Sequence, residues 1–209
     1  MAKGLWPQLF GSFGVRKHMQ AIALEPDAEL MLRAKAGDPA SFETLVERQR
    51  GPVINFLYRM VGSQAVAEEL AQEVFLRVYR ARVSYQPSAK FATWLFRIAA
   101  HVALNYLRDR KNDNRVMSLE CAGWASGELQ VADQRLTAEQ EMIRRARLAR
   151  VRQAIAALPA KQRAAVVMHK YHGMEYSQIA AALDCSESAV KSLLFRAYER
   201  LRTLLADCV

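Results

Sequence analysis

Three sets of side chains in this sequence have types and spacings that could do chemistry. Ser188, Lys191, Ser192 and Arg196 recur at intervals of three and four, so one face of a helix would carry them all. Each can donate a hydrogen bond to a phosphate or a base edge. Trp94, Arg97, His101, Asn105 and Arg108 share another helical ridge. Bases can stack on its ring, and its cations can neutralise phosphates, so the ridge suits a nucleic-acid strand. Trp94 and the nearby Phe91 could equally be ordinary core residues. The third set is Glu69, Gln72, Glu73 and Leu76, at i, i+3, i+4 and i+7. An acidic stripe with one apolar member could dock on a basic partner. On a helix met alone, it would more simply be a solvated face.

Other chemistry finds no support. The sequence holds no Gly-rich phosphate loop and no placeable Ser-His-Asp or Cys-His set, so no catalytic residue is assigned and an enzyme is not expected. His169, His172, Cys185 and Cys208 match no common zinc spacing. No metal or other cofactor is therefore expected, and both histidines read as polar residues near helix ends. The Glu68-Glu69 pair has no cleft motif beside it.

The elements that must position these residues are helical. The run YSQIAAALDCSESAVKSLLFRAY (176–198) reads as two short helices joined by a tight turn at Asp184 and Cys185. Val190 and Leu194 would plug the second helix onto the first, close to Ala180. Ser186 would cap the second helix. Asp184 stands where such turns usually have Gly, a mild departure because Asp tolerates left-handed backbone. Four more helices are predicted upstream, over 27–36, 38–62, 63–82 and 90–111. Pro39 starts the second of them, and Gly51-Pro52 should bend it. In the third, Ala67, Leu70, Ala71, Val74, Phe75, Val78 and Tyr79 form the core stripe. In the fourth, Leu95, Ile98, Ala99, Val102 and Tyr106 face inward. Beyond Glu139, Leu148, Val151, Ile155 and Leu158 form a further stripe. Pro159 ends that helix and can start another, reaching His172-Gly173.

Charge divides the chain in the same way. The 209 residues carry a net charge of +9, with +5 in 28–112, +6 in 140–209 and −3 in 113–139. Two basic blocks joined by an acidic connector suggest two modules that each meet a polyanion. The expected fold is all-α, with two small helical domains at 27–112 and 140–209. A flexible extension precedes them (1–26), and a flexible acidic linker (113–139) joins them. No stretch has the ~20 apolar residues of a membrane helix, so direct membrane insertion is not expected. The opening MAKGLWPQLFGSFGVRKH makes a poor signal peptide. Three cysteines without motif spacing, Cys121, Cys185 and Cys208, fit a reducing cytosol.

In order and spacing, five segments resemble the bacterial extracytoplasmic-function (ECF) sigma factors. LMLRAKAGDPASFETLVERQR (30–50) is similar to the start of the group's region 2, and AEELAQEVFLRVYRA (67–81) to its polymerase-docking helix. FATWLFRIAAHVALNYLRDR (91–110) is similar to its minus-10 promoter helix. AIAALPAKQRAAVVMHKYHGMEYSQIAAAL (154–183) and SAVKSLLFRAYERLR (188–202) are similar to region 4, which binds the minus-35 element. The resemblance implies that Glu69, Gln72, Glu73 and Leu76 dock on core RNA polymerase. It implies that Trp94, Arg97, His101, Asn105 and Arg108 meet the minus-10 strand of promoter DNA. The loop from Arg82 to Lys90 would hold a flipped base, with Lys90 among the DNA-binding residues. Ser188, Lys191, Ser192 and Arg196 would enter the major groove at minus-35, and the connector would run toward the RNA exit path. The resemblance further implies an anti-sigma partner, often membrane-anchored, so that a cytoplasmic protein could be held at the inner membrane. A small-molecule substrate is not implied.

Several residues depart from the family pattern. His101 stands where Asn is frequent, Asn105 where Asp is frequent, Leu193 where a basic residue is common, and Glu175 where Ser or Thr often starts a helix. These departures bear on the DNA sequence recognised. The alternative is a stand-alone helix-turn-helix regulator, which would leave the two ridges at 69–76 and 94–108 without a role.

Overall fold

The computed structural model describes residues 25–113 and 137–206. Residues 1–24 of the predicted extension and most of the connector lie outside the described residues, whereas Glu25 and Pro26, placed in the extension, instead lead into the first helix. The described chain forms α1 (Pro26–Lys35), α2 (Pro39–Val61), α3 (Gln64–Ala81), a 3-10 turn (Arg82–Ser84) and α4 (Phe91–Asp113). It continues with α5 (Ala138–Ala156), α6 (Ala160–Tyr171), α7 (Tyr176–Ala182) and α8 (Glu187–Leu204). No strand occurs among the described residues.

Local chemistry sets the helix ends. Pro39 opens α2, where its missing N–H is harmless, and the Asp38 carboxylate accepts from the backbone of Ala40 and the hydroxyl of Ser41. The Ser41 bond holds the Asp38 carboxyl below its usual pKa. Gly62 closes α2 in the left-handed conformation (φ 81°) that its lack of Cβ permits. As expected, the helix passes through Pro52 and runs on to Val61. Thr137 and Gln140 cap α5 reciprocally, each side chain accepting from the other's backbone N–H. The start of α4 is capped from the far end of the module, where Glu25 Oε2 accepts from the backbone N–H of Phe91 at 2.9 Å.

The helices of the first module pack around Met31, Leu45, Phe56, Leu57, Met60, Val74, Val78 and Leu95, all buried. Burying each such side chain contributes roughly 1.5–3 kcal/mol. Ile155, Leu158, Met168, Ile179, Val190 and Leu194 are the counterpart in the second. Several of the expected core positions need correction. Tyr79 is 44% exposed rather than core: its ring meets Phe42 edge-on and is covered by the Arg82 guanidinium. Leu70, Phe75 and Ile98 are half-buried and pack on the core edge, Tyr106 is half-buried, and Leu148 and Val151 are half-buried where Ile155 and Leu158 are buried.

A larger difference is that α4 is buried on more than its predicted face. Phe96, Ala100 and Ala103 are buried with Leu95, Ala99 and Val102, because the second module packs against the first. His172, expected as a helix-end residue, inserts its ring between Phe56 and Phe96, with centroids at 5.9 and 4.3 Å. The Arg59 guanidinium lies over the Tyr171 ring at 4.1 Å. Arg163 on α6 donates to the carbonyls of Met60, Ala156 and Leu158. Its burial lowers the guanidinium pKa, and the three carbonyl dipoles stand in for lost water.

Candidate nucleic-acid interface

The helix-turn-helix has the predicted anatomy. Val190 and Leu194 are buried against α7, with Ile179 and Ala180 on the facing side. Ser186 Oγ accepts from the backbone N–H of Ala189 at 3.1 Å, which caps α8. Asp184 is the sole non-glycine residue with positive φ among the described residues, at 49°. Glu175 starts α7 despite its departure from Ser or Thr, and its backbone N–H donates to Gln178 Oε1 at 2.9 Å.

Ser188, Lys191, Ser192 and Arg196 are all exposed on α8. Ser192 Oγ donates to the Ser188 carbonyl, which fixes its rotamer. Phe195, missed in the sequence reading, is 68% exposed and lines an open groove with Lys191, Ser192 and Arg196. Its place at i+7 from Ser188 and i+4 from Lys191 was the available signal. An aromatic ring among phosphate donors adds an apolar surface that can meet a thymine methyl.

On α4 the predicted ridge is present but differently used along its length. Asn105 and Arg108 are exposed, and Arg108 pairs with its neighbour Asp109 at 3.2 Å. Trp94 is half-buried in an aromatic cluster, 5.0 Å from the Tyr85 ring and 5.8 Å from Phe91. It is therefore both a packing residue and a partly open surface, whereas Phe91 is core. The loop before α4 is held from below by Lys35, whose Nζ donates to the Tyr85 carbonyl at 2.8 Å. Tyr85 is buried, and its hydroxyl has no hydrogen-bond partner among the described residues. Burial, with the nearby Glu25 charge, raises its pKa. Lys90 is exposed at the end of this loop.

Arg97 and His101 do not stand free. Arg97 Nη2 lies 2.6 Å from Asp184 Oδ1, and His101 Nε2 lies 3.0 Å from Asp184 Oδ2. The turn of the helix-turn-helix thus sits on the middle of the α4 ridge.

On α3, Glu69, Gln72 and Leu76 are exposed, and Glu73 is half-buried and paired with Arg77 at 2.6 Å. Leu76 is 51% exposed, and Tyr79 and Val83 extend the apolar surface past it. No group of three or more His, Cys, Asp or Glu side chains that could hold a metal occurs among the described residues. No helix among them is long and apolar enough to cross a membrane.

Two buried-core helical modules, one ending in a helix-turn-helix and the other carrying an acidic and a cationic-aromatic face, are the architecture of a transcription initiation factor. Residues 45–112 match the family model for sigma-70 region 2, and residues 148–201 match that for sigma-70 region 4. The chain is 32% identical to RNA polymerase sigma-H factor of Pseudomonas aeruginosa, over 85% of this chain and 92% of that protein. It is also 32% identical to the ECF RNA polymerase sigma-E factor of Escherichia coli K12, over 84% of this chain and 92% of that protein. Among solved structures, CnrH in complex with the cytosolic domain of CnrY is similar at a TM-score of 0.61 and 25% identity, covering 88% of this chain and 99% of that one. The sigma factor RpoE of Bartonella quintana, solved with the anti-sigma factor NepR, shares the fold at a TM-score of 0.60 and 22% identity, over 79% of this chain and 96% of that one. The chain belongs to the sigma-70 family of RNA polymerase sigma factors, in its ECF group.

Proposed function

We propose that this sigma factor binds core RNA polymerase through Glu69, Gln72, Glu73 and Leu76 of α3, and that Tyr79 and Val83 widen the apolar part of that contact. Lys90, Trp94, Arg97, His101, Asn105 and Arg108 meet the minus-10 strand once the promoter opens. Ser188, Lys191, Ser192 and Arg196 enter the major groove at minus-35, with Phe195 supplying an apolar contact. The working units are residues 27–112 and 140–209, and 113–139 is a tether between them. The protein acts by binding rather than by catalysis. It works in the bacterial cytoplasm, and an anti-sigma partner holds it inactive, at the inner membrane where that partner is anchored.

One observation carries this reading. The chain has two separate cationic faces, on α4 and α8, and an acidic-apolar face on α3 that neither needs. A regulator working through its helix-turn-helix alone has no use for the other two. Joining two modest DNA contacts on one polymerase raises the effective concentration of the second once the first is made.

Run-off transcription with purified core polymerase, on promoters selected from a random library, tests it. Core-dependent transcripts from a selected sequence are expected. If the free chain bound selected DNA tightly and selectively at physiological salt and polymerase added nothing, the stand-alone regulator would be the better account.

A further inference from the structure

We propose that the free chain holds itself closed, with the Asp184 carboxylate in the helix-turn-helix turn occupying Arg97 and His101 of α4 so that they cannot meet a DNA strand. This rests on the strand-binding reading of α4 given above. Both carboxylate oxygens are used, one at 2.6 Å from Arg97 Nη2 and the other at 3.0 Å from His101 Nε2. A phosphate would compete for those same nitrogens, so the intramolecular contact and the strand exclude each other. In the closed form the turn leading into α8 also lies against α4. The two DNA-binding faces then cannot reach separate promoter elements.

The backbone at Asp184 points the same way. Its φ of 49° is where glycine is at ease and other residues are strained. Gly would fill this turn without strain but carries no carboxylate. Asp is among the few residues that tolerate this backbone, and its charge is what Arg97 and His101 meet.

The contact is built to be reversible. All three side chains are about half exposed, and an exposed pair of this kind shifts an equilibrium about twofold to fivefold. The rest of the closing contact is separate from the carboxylate. It includes His172 between Phe56 and Phe96, Arg59 over Tyr171, and Arg163 on the Met60 carbonyl. Asp184 thus adds to an interface already present. It ties the state of that interface to the occupancy of Arg97 and His101.

The test uses the full chain and two readouts. Small-angle scattering reports compaction. Fluorescence anisotropy with a fluorescein-labelled (dT)20 probe at low salt reports access to the α4 ridge. Asp184→Asn keeps a residue that tolerates the turn and removes the charge. It is expected to raise the open-to-closed ratio about twofold to fivefold, enlarging the radius of gyration and tightening (dT)20 binding by a similar factor. Asp184→Gly, which relaxes the turn, should do the same, so a folding defect cannot account for the result. Glu199→Gln removes one negative charge elsewhere on α8 and should leave compaction unchanged, with little gain in binding.

Unchanged scattering for both Asp184 variants would overturn the closed-form proposal. So would a gain in (dT)20 binding no larger than that of Glu199→Gln without expansion. Expansion without any gain in (dT)20 binding would uphold the closing contact and overturn the strand-binding reading of α4.

Discussion

The imidazole of His172 packs on the Phe96 ring with centroids 4.3 Å apart, and its Nε2 is buried without a hydrogen-bond partner among the described residues. Burial in this aromatic slot, with the Arg59 cation nearby, pushes its pKa from 6.5 down to about 4. The slot lies between the two modules, so the charge on this ring bears directly on whether they stay together.

Above pH 6.5 the ring is neutral in the closed and the open form alike, and the contact is at full strength. As pH falls from 6.5 toward about 4, the open form takes up a proton that the closed form excludes. Each pH unit in that window weakens the closed form by about 1.4 kcal/mol. Scattering against pH should therefore show expansion over this range. His172→Phe, which keeps an aromatic ring in the slot, should remove most of that dependence. Identical profiles for the two proteins would remove His172 from the account.

Docking on polymerase is checked on α3. Gln72→Ala combined with Glu73→Lys sets a new positive charge on a face read as meeting a basic partner, and like-charge contacts can cost several kcal/mol. The double variant should keep its helical circular dichroism and lose co-purification with core polymerase. Full retention by the folded variant would rule out this face.

The two DNA faces should fail differently. Lys191→Ala should weaken promoter binding on duplex DNA yet leave a pre-melted template usable. Trp94→Ala should impair strand capture, with base stacking worth about 1–3 kcal/mol. Because Trp94 also packs on Tyr85 and Phe91, Trp94→Phe should recover part of the loss. Permanganate reactivity on both templates separates these outcomes. The same defect from both alanine variants would contradict the division.

Stability of the helix-turn-helix rests on two features of α8. Leu194→Ala empties a buried site and should cost about 2–5 kcal/mol. Ser186→Ala removes the cap bond to Ala189 and should cost about 1 kcal/mol. Urea unfolding of each variant measures both, and a Ser186→Ala loss as large as that of Leu194→Ala would show that the cap does more than end a helix.

Helix positions and the main buried stripes were legible because they depend on local spacing. Val74 and Val78 on α3 and Val190 and Leu194 on α8 follow from period alone. The Ser186 cap and the left-handed Asp184 were legible for the same reason. What lies between modules was not. Phe96, Ala100 and Ala103 are buried by helices more than fifty residues away, and no periodicity on α4 encodes that partner. Arg97 and His101 kept their predicted face, but the group that meets them comes from the other module. Tyr79 was misread because its ring is covered by Phe42 and Arg82 rather than by the core. Phe195 does not stand out from spacing because it is an apolar side chain within a run of hydrogen-bond donors, and its exposure depends on how α8 is seated.

The bond from Glu25 to the Phe91 amide joins positions 66 residues apart. It makes the leading edge of α1 part of the scaffold of α4. A carboxylate at the amide end of a helix also complements its dipole. The first turn of α4 carries Trp94, so the indole is anchored by a residue that precedes every helix in the described chain. Any shortened version intended to keep that ring in place must retain Glu25, even though the sigma-70 region 2 match itself begins twenty residues later, at 45.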